Sequence, residues 1–552
     1  MKKSGSEIII ELLERQGIRT IPGIPGGSNL PLYDSLARSK RIRHILSRHE
    51  QGAGFIAQGM ARSTGTTAVC FATSGPGATN LVTAIADAKA DSVPLVAITG
   101  QVPSSLIGTD AFQEVDMYGI TVPITKHNFL VRSAKELLTV LPEAFRIAGS
   151  GRPGPVVVDV PKDVQLEKTE IREWPLPGTA DSRMEPSDDD LRRFIGMISS
   201  ASRPVLYAGG GVVSSGASSA LTGFARRFSI PVTASLLGLG SFPQDDPLWL
   251  GMLGMHGAAA TNLALEEADL LIVLGARFDD RATGNIARFC PNANIIHADT
   301  DHAELGKLRK PELSIRADAS AVLEKAADSM NPMDRSAWLV RIAEWKRKRP
   351  IRRQEDPRHP LNLIRTVARL APEDCFVTTD VGQHQMWTAQ AWPVQRPRSF
   401  LTSGGLGTMG FGLPAAIGAA LANPGHRTIC FSGDGSILMN IQELATLADL
   451  GLDVKVIVLN NGHLGLVKQQ QQLFFRGNVF ASKFIANPDL AAVARGFGVP
   501  AVDLTDGPDL ERRLGDALSN EGPCLVNIPI RAGENVFPMV PPGKANSEMI
   551  GG

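Results

Sequence analysis

The chain has 552 residues, with 56 Lys+Arg balanced by 56 Asp+Glu. At about 100–200 residues per domain this length supplies roughly three or four domains, and a formal net charge of zero leaves no global field to hold nucleic acid or an anionic membrane surface. The 55 glycines and 5 % aromatic residues fit an α/β protein rich in tight strand-to-helix turns. The opening MKKSGSEIIIELLERQG carries Glu7, Glu11 and Glu14 at helical spacing through its apolar patch, which predicts an amphipathic helix and not a secretion signal. No run approaches the ~18–20 apolar residues of a membrane span. Cys70, Cys290, Cys375, Cys430 and Cys524 are far apart and mostly within apolar runs, and so read as buried thiols of a cytoplasmic protein.

Residues 1–165 alternate β-rich runs (AVCFAT, PLVAITG, PVVVDVP) with helical stretches, the pattern of a parallel sheet covered on both faces. The polar, aperiodic stretch 166–188 reads as a linker. Alternation resumes with PVLYAGGG, IPVTAS, ADLLIVLGARF and ANIIHADTD, giving a second domain over 189–335. A basic stretch around Pro350, Pro357 and Pro360 reads as a second linker; its run Lys346 to Arg353, beside Glu355 and Asp356, reads as a solvated linker helix and not a nucleic-acid patch. CFVTTDVG, RTICFSGDG, VKVIVLNN and PCLVNIPI mark a third domain over 361–536, and 537–552 reads as an extended tail. The predicted fold class is α/β, with three consecutive doubly wound parallel-sheet domains.

The stretch RTICFSGDGSILMNIQELATLADLGLDVKVIVLNN reads as strand, turn, helix, strand. In a right-handed βαβ unit both strands end on the same edge, so Asp434 and Asn461 can meet although 27 residues apart. A carboxylate and an amide oxygen suit Mg²⁺ completed by phosphate oxygens. Gly433 and Gly435 allow close approach of the backbone to phosphate, and a helix beginning near Ser436 supplies amide donors.

This combination resembles the diphosphate signature of thiamine diphosphate enzymes, which implies thiamine diphosphate with Mg²⁺ on Asp434, Asn461 and His463. The resemblance also implies a glutamate that shares a proton with the pyrimidine ring of the cofactor, and RHEQGAGFIAQGMAR places Glu50 there. By itself Glu50 is an ordinary dipole-favoured acid at a helix start. In TSGGLGTMGFGLPAAIGAA the resemblance makes Met409 the wedge beneath the cofactor rings and Gly407 the carbonyl that accepts from its amino group; alone, Met409 reads as a core gap-filler. In DVGQHQMW it places Gln383 and His384 on the diphosphate.

IPGIPGGSNLPLYDSL, SGPGATN, GTDAFQEVD, GRPGPVVVDVPKDV, GMLGMHG and LGARFDDR narrow the resemblance, over essentially the whole chain, to catalytic subunits of acetohydroxyacid (acetolactate) synthases. That implies ligation of two 2-keto acids: pyruvate with pyruvate giving 2-acetolactate, or pyruvate with 2-ketobutyrate, in branched-chain amino-acid synthesis. It adds Gly26, Gly27, Pro76 and Asn80 to the thiamine site. Phe112, Gln113 and Lys162 fall around the acceptor channel, and Arg281 on the acceptor carboxylate. On sequence alone, Arg281 could equally pair with Asp279 or Asp280, and Lys162 could be a solvated loop lysine. The resemblance makes the middle domain a Rossmann-like site for a structural, non-redox FAD, at Arg152, Gly210, Gly211, Gly254, Met255, His256, Gly257, Gly275, Ala276, Arg277, Asp299, Asp301 and Asp318. No GxGxxG fingerprint supports FAD independently.

One position departs from the family. Where a tryptophan is usual, NNGHLGLVKQQQQLFF carries Gln470, which predicts weak or no preference for 2-ketobutyrate over pyruvate as acceptor. The resemblance further implies a homodimer or dimer of dimers with active sites at the subunit interface, and a small regulatory subunit. Two alternatives remain: another thiamine diphosphate enzyme of the pyruvate oxidase, decarboxylase or glyoxylate carboligase type, and a nucleotide-binding protein without turnover.

Overall fold

The computed structural model describes residues 1–351, 354–505 and 509–551; Arg352 and Arg353 of the basic run lie outside them. Three sheets of six parallel strands follow one another along the chain. The apolar runs are their inner strands: every residue of Ala68–Ala72, Leu95–Gln101, Pro155–Pro161 and Leu270–Leu274 is buried, as helices on both faces of a parallel sheet require.

The first domain comprises strands Thr20–Gly23, Arg43–Leu46, Ala68–Ala72, Leu95–Gln101, His127–Leu130 and Pro155–Pro161, lying in the order second, first, third, fourth, sixth, fifth. The last domain repeats that order with Phe376–Thr379, Phe400–Leu401, Thr428–Gly433, Val454–Asn460, Ala501–Asp503 and Cys524–Pro529. The middle domain is wired differently. Pro204–Ala208, Val232–Ala234, Trp249–Met252, Leu270–Leu274, Asn294–Ala298 and Leu313–Ile315 lie in the order third, second, first, fourth, fifth, sixth, the doubly wound order of dinucleotide-binding domains.

Both linkers contain structure. Lys168–Glu170 pairs antiparallel with Lys2–Ser4, so part of 166–188 closes the amino end of the chain ahead of helix Gly5–Arg15. Helix Ser336–Lys348 buries Trp338, Ile342 and Trp345 in the same cluster as Leu250, Ala260 and Ile295 of the middle domain. Trp338 Nε1 donates to Pro204 O at 3.2 Å and Lys346 Nζ to Trp249 O at 2.9 Å, so the basic run starts as a helix-end anchor on that domain.

The first and last domains meet through helices Glu50–Thr64 and Gly412–Ala422, where a Cβ on Gly59 would collide with Ala415 O and one on Gly418 with Ile56 O. The tail folds back over the middle domain: Val540 N donates to Met255 O at 2.8 Å, Asn285 N to Lys544 O at 2.9 Å and Asn546 Nδ2 to Ala282 O at 2.9 Å. Val536, Met539, Val540 and Ala545 are buried by this docking. All five cysteines are buried and unpaired, and no helix among the described residues is long and apolar enough to cross a membrane.

Candidate functional site

Ligands of open parallel sheets bind at the carboxyl edge, where the direction of strand addition reverses and neighbouring loops part. In the first and last domains that reversal falls between the first and third strands, and in the middle domain between the first and fourth. The residues singled out from the sequence gather around these three points.

In the last domain Gln383 and His384 open helix Gln383–Ala391, Gly433 ends strand Thr428–Gly433, and Asp434, Gly435 and Ser436 follow it. The expected helix there is a single turn, Asp434–Ile437, because Asn440 and Glu443 redirect the chain into helix Glu443–Leu450. Asp434 is 1 % exposed; its Oδ2 accepts from Asn487 Nδ2 at 3.0 Å, and Asn461 N lies 3.5 Å from its Oδ1. Asn461 Nδ2 donates to Gln383 Oε1 at 3.2 Å, so loops from three strands close on one point. Burial pushes the Asp434 carboxyl above its usual range, a penalty that a bound cation would reverse. His463 turns its ring back on this loop, with Nδ1 2.7 Å from Asn461 O.

The donor set fits a diphosphate with its divalent cation. His384 is buried with Nε2 unpartnered, and burial lowers its pKa to about 3, leaving a neutral ring nitrogen without a protein partner. A Cβ on Gly433 would stand 2.9 Å from His384 Nδ1, so the turn must stay bare backbone. Among the described residues no three His, Cys, Asp or Glu side chains form a cage, so a cation here would have Asp434 as its one protein carboxylate.

The first domain forms a second cluster. Loop 24–28, with Gly26 and Gly27, abuts the loop after Ala68–Ala72: Ser28 Oγ and Ser74 Oγ are 2.7 Å apart. Glu50 starts helix Glu50–Thr64 but is 9 % exposed, not a surface acid, and Asn80 Nδ2 donates to its Oε2 at 2.9 Å. Pro76 opens the short helix Pro76–Asn80, and a Cβ on Gly77 would sit 3.2 Å from Glu50 Oε1. Gln113 (φ +60°) backs onto Gly75, while neighbouring Phe112 is 88 % exposed. Lys162 is half-buried at the start of helix Lys162–Leu166, whose Gln165 donates to Ser28 O at 2.8 Å. Among the described residues the carboxylate partner of Glu50 is Asn80, and the two residues before it reach the last domain, Arg48 N and His49 N each donating to Glu443 Oε1 at 3.0 Å.

The middle domain opens a cavity of about 1250 Å³ at its reversal point. Gly211 N donates to Gly275 O at 3.0 Å, and a Cβ on Gly211 would lie 2.6 Å from Gly275 Cα, itself at φ +56°; only glycine fits where the two turns touch. Gly210, Ala276, Met255, His256 and Asp318 share the cavity wall, with Gly254 and Gly257 closing the turn behind them and Asp318 also capping helix Ala319–Ser329. Arg152 bridges Asp301 (3.1 Å) and Glu304 (2.7 Å), Arg277 Nη1 donates to Ala90 O at 2.7 Å, and burial raises the Asp299 carboxyl to about 6. This wiring, the bare glycine turns and the cavity's size fit a dinucleotide.

The cavity also reaches the last domain. Gly407 and Gln470 line it together with Arg281, whose backbone N donates to Asp279 Oδ1 at 3.1 Å while its guanidinium pairs only loosely, at 3.7 Å, with exposed Asp280. Half-buried Met409 lies two residues beyond Gly407, in the loop leading to helix Gly412–Ala422.

Several residues at these sites gave no signal in the sequence. Asn487 fixes Asp434 and also donates to Asn460 Oδ1 at 2.8 Å. In the glutamine run only Gln469 is buried; its Oε1 accepts from Gln383 Nε2 at 2.9 Å and Val536 N at 2.8 Å. A helical reading of that run would have singled out one inward residue in four, without saying what it meets.

Two outer domains of one topology around a dinucleotide-type domain, with a diphosphate cradle in the last, define a thiamine pyrophosphate enzyme. Family models described as the N-terminal TPP binding domain, central domain and C-terminal TPP binding domain of such enzymes match residues 3–120, 191–326 and 380–528. The chain is 55 % identical over 550 residues to the acetolactate synthase isozyme 1 large subunit of Escherichia coli K12, covering 99 % of this chain and 98 % of that protein. It is 46 % identical to the isozyme 2 large subunit of the same organism, with 99 % of each covered, and 45 % identical to chloroplastic acetolactate synthase 2 of Zea mays, covering 99 % of this chain and 89 % of that one. The chain belongs to the acetolactate synthase large-subunit family.

Proposed function

We propose that this chain joins two 2-keto acids with loss of CO₂: two pyruvates give 2-acetolactate, and pyruvate with 2-ketobutyrate gives 2-aceto-2-hydroxybutyrate, in branched-chain amino-acid biosynthesis. The observation that carries the reading is the closure of Gln383, Asp434 and Asn461 on one point beside the orphan nitrogen of His384. Thiamine diphosphate, when bound, supplies a carbon acid whose conjugate base adds to a 2-keto carbonyl and takes up the electron pair left as CO₂ departs.

The chain's residues do the rest. Asp434, Asn461 and His463 would hold Mg²⁺, with the diphosphate on Gln383, His384 and the turn Gly433–Ser436. Glu50, its carboxylate steadied by Asn80 Nδ2 on Oε2, would hold the proton at the pyrimidine nitrogen. Gly26, Gly27 and Pro76 would line the ring of the cofactor, with Met409 as the wedge beneath it and the Gly407 carbonyl as acceptor for its amino group. Arg281 is free enough of Asp280 to pair with an incoming carboxylate, and Phe112, Gln113 and Lys162 wall the approach. FAD would occupy the middle cavity on Arg152, the Gly210–Gly211 and Gly275–Arg277 turns, and Asp299, Asp301 and Asp318; the reaction balances without redox change, so its role is structural.

The assembly that goes with this reading is a homodimer, or a dimer of dimers, with each site built from two copies, so that Glu50 of one copy would serve the Asp434 cluster of the other. Exposed apolar residues near the first cluster, Leu30 (54 %) and Phe112 (88 %), support a covered face there. A small regulatory subunit is the second partner in this reading. Buried, unpaired thiols support a cytoplasmic protein.

Product analysis tests the activity. Protein supplied with thiamine diphosphate, Mg²⁺, FAD and pyruvate should yield acetolactate; acetaldehyde or acetyl phosphate instead would move the chain to the decarboxylase or oxidase type, and no product would make it a binding protein.

A further inference from the structure

The loop 402–409, between strand Phe400–Leu401 and helix Gly412–Ala422, has no regular structure, and Gly405, Leu406 and Gly407 are exposed. Its shape is dictated from another domain. Asp91, just past the end of helix Val82–Ala90, accepts from Gly404 N at 2.9 Å through Oδ2 and from Gly405 N at 2.6 Å through Oδ1. Asp87, one turn earlier, accepts from Thr408 Oγ1 at 3.0 Å and from Ser403 Oγ, and that hydroxyl in turn accepts from Thr408 N at 2.8 Å. Arg62 Nη2 lies 3.0 Å from Asp87 and 2.9 Å from Asp91, while Nη1 donates to Thr402 O at 2.9 Å and the guanidinium covers the Phe411 ring at 4.9 Å.

Both carboxylates are fully buried, and one arginine cannot neutralise two of them. The remaining charge is met by the loop's own hydroxyls and amides, so the network is satisfied only when 402–408 adopts this one path. Gly405 records the tightness of the fit: a Cβ there would stand 2.8 Å from Asp91 Oδ1 and 3.0 Å from Ala90 O. The same short segment also meets the middle domain, since Arg277 donates to Ala90 O at 2.7 Å and Arg152 Nε to Ser92 Oγ at 2.8 Å.

We propose that Asp91, with Asp87 and Arg62, is a positioning device by which the first domain moulds loop 402–409 and so sets where the Gly407 carbonyl and Met409 stand toward the thiamine. The inference rests on the role given to Gly407 and Met409 above. Its cost is a buried charge imbalance, tolerable because it specifies one loop conformation.

Asp91→Asn replaces one acceptor oxygen with a donor that faces Gly404 N or Gly405 N; Gly405→Ala disturbs the same contact from the other side without changing charge. In cofactor-free protein, hydrogen exchange should quicken about tenfold in peptides spanning 402–409 in both variants, with little change elsewhere. In the holoenzyme, apparent KM for thiamine diphosphate should rise about tenfold while kcat at saturating cofactor stays within about twofold. Exchange and KM at wild-type values in both variants would overturn the proposal, as would faster exchange spread evenly over the chain, which marks general destabilisation. Wild-type protein that fails to bind thiamine diphosphate would instead remove the functional reading, and the exchange measurement would still decide whether Asp91 moulds the loop.

Discussion

The first and last domains share one strand order and carry opposite chemistry at the same place in it. Behind its third strand the first domain has Thr73, Ser74, Gly75 and Pro76, neutral and hydroxyl-rich, with its one acid, Glu50, brought in from a helix start and steadied by Asn80. At the equivalent strand end the last domain carries Asp434, with Asn461 from the next strand and Asn487 from further on. On the proposed reading one wiring carries a proton-handling half and a cation-holding half, and the residues that differ follow the strand ends. The middle domain, wired in the other order, puts two bare glycine turns together and opens a cavity instead.

That division predicts separable defects. Glu50→Gln should lower turnover by about 10²–10⁴-fold while thiamine diphosphate and Mg²⁺ still bind. Asp434→Asn should weaken Mg²⁺-dependent cofactor binding by about 100-fold, with turnover recovering in part at high Mg²⁺. Titrating cofactor into both variants and measuring turnover at saturation checks the contrast; a binding defect in the first with a pure turnover defect in the second would break it.

The middle domain should answer to acid. His256, buried and hydrogen-bonded to Pro538 O at 3.1 Å, has its pKa lowered by burial from 6.5 to about 4. Above 6.5 the ring is neutral whether folded or unfolded, but as pH falls from 6.5 to 4 only the unfolded chain takes the proton. The contribution of His256 to stability should therefore decline across that window by roughly 3 kcal/mol, opposed by Asp299, whose raised carboxyl takes its proton earlier in the folded chain than in the unfolded one. Urea unfolding followed against pH in the wild-type and His256→Gln proteins should isolate that contribution as the difference between the two slopes, with the remainder set by groups such as His384 and Asp299; equal slopes would remove His256 from the acid response. The smallest effect concerns the acceptor: Gln470→Trp should raise the ratio of 2-aceto-2-hydroxybutyrate to acetolactate from equal substrates by about tenfold, the worth of one methylene on an apolar wall. An unchanged ratio would separate Gln470 from acceptor choice.

Most of the fold was legible because inner parallel strands are continuous apolar runs: PVVVDVP, LLIVL and VKVIVLN appear in the sequence as they do in the sheets. Edge strands such as Arg43–Leu46 and Ala501–Asp503 were not, because half their residues face solvent and their runs are short. The linker helix was legible at its basic end, but not its start at Ser336 nor the buried stripe Trp338, Ile342 and Trp345 that packs it on the middle domain. At the site, GDG with NN was readable because both motifs end strands of one βαβ unit. GGG at 209–211 was weak in sequence and became informative through the strand order and the touching turn at Gly275. Asn487, Gln469 and the Arg62–Asp87–Asp91 group were invisible because their partners lie 53, 86 and more than 300 residues away.

The docked tail has a mechanical consequence. It leaves the last sheet after Pro529, crosses to the middle domain and lies along 282–288, holding Ala282 and Asn285 by hydrogen bonds and Arg288 by an ion pair with Glu548 at 2.6 Å. Arg281 stands at the head of that segment, with its carbonyl bonded to Met255 N at 2.8 Å. The tail is thus a buckle between two domains, fastened beside the guanidinium that faces the cavity. It adds to the direct bonds between those domains, Gln390 Nε2 on His256 O at 3.0 Å and Arg398 Nη2 on Ser214 O at 2.8 Å, so the setting of Arg281 depends on the end of the chain as well as on its own domain.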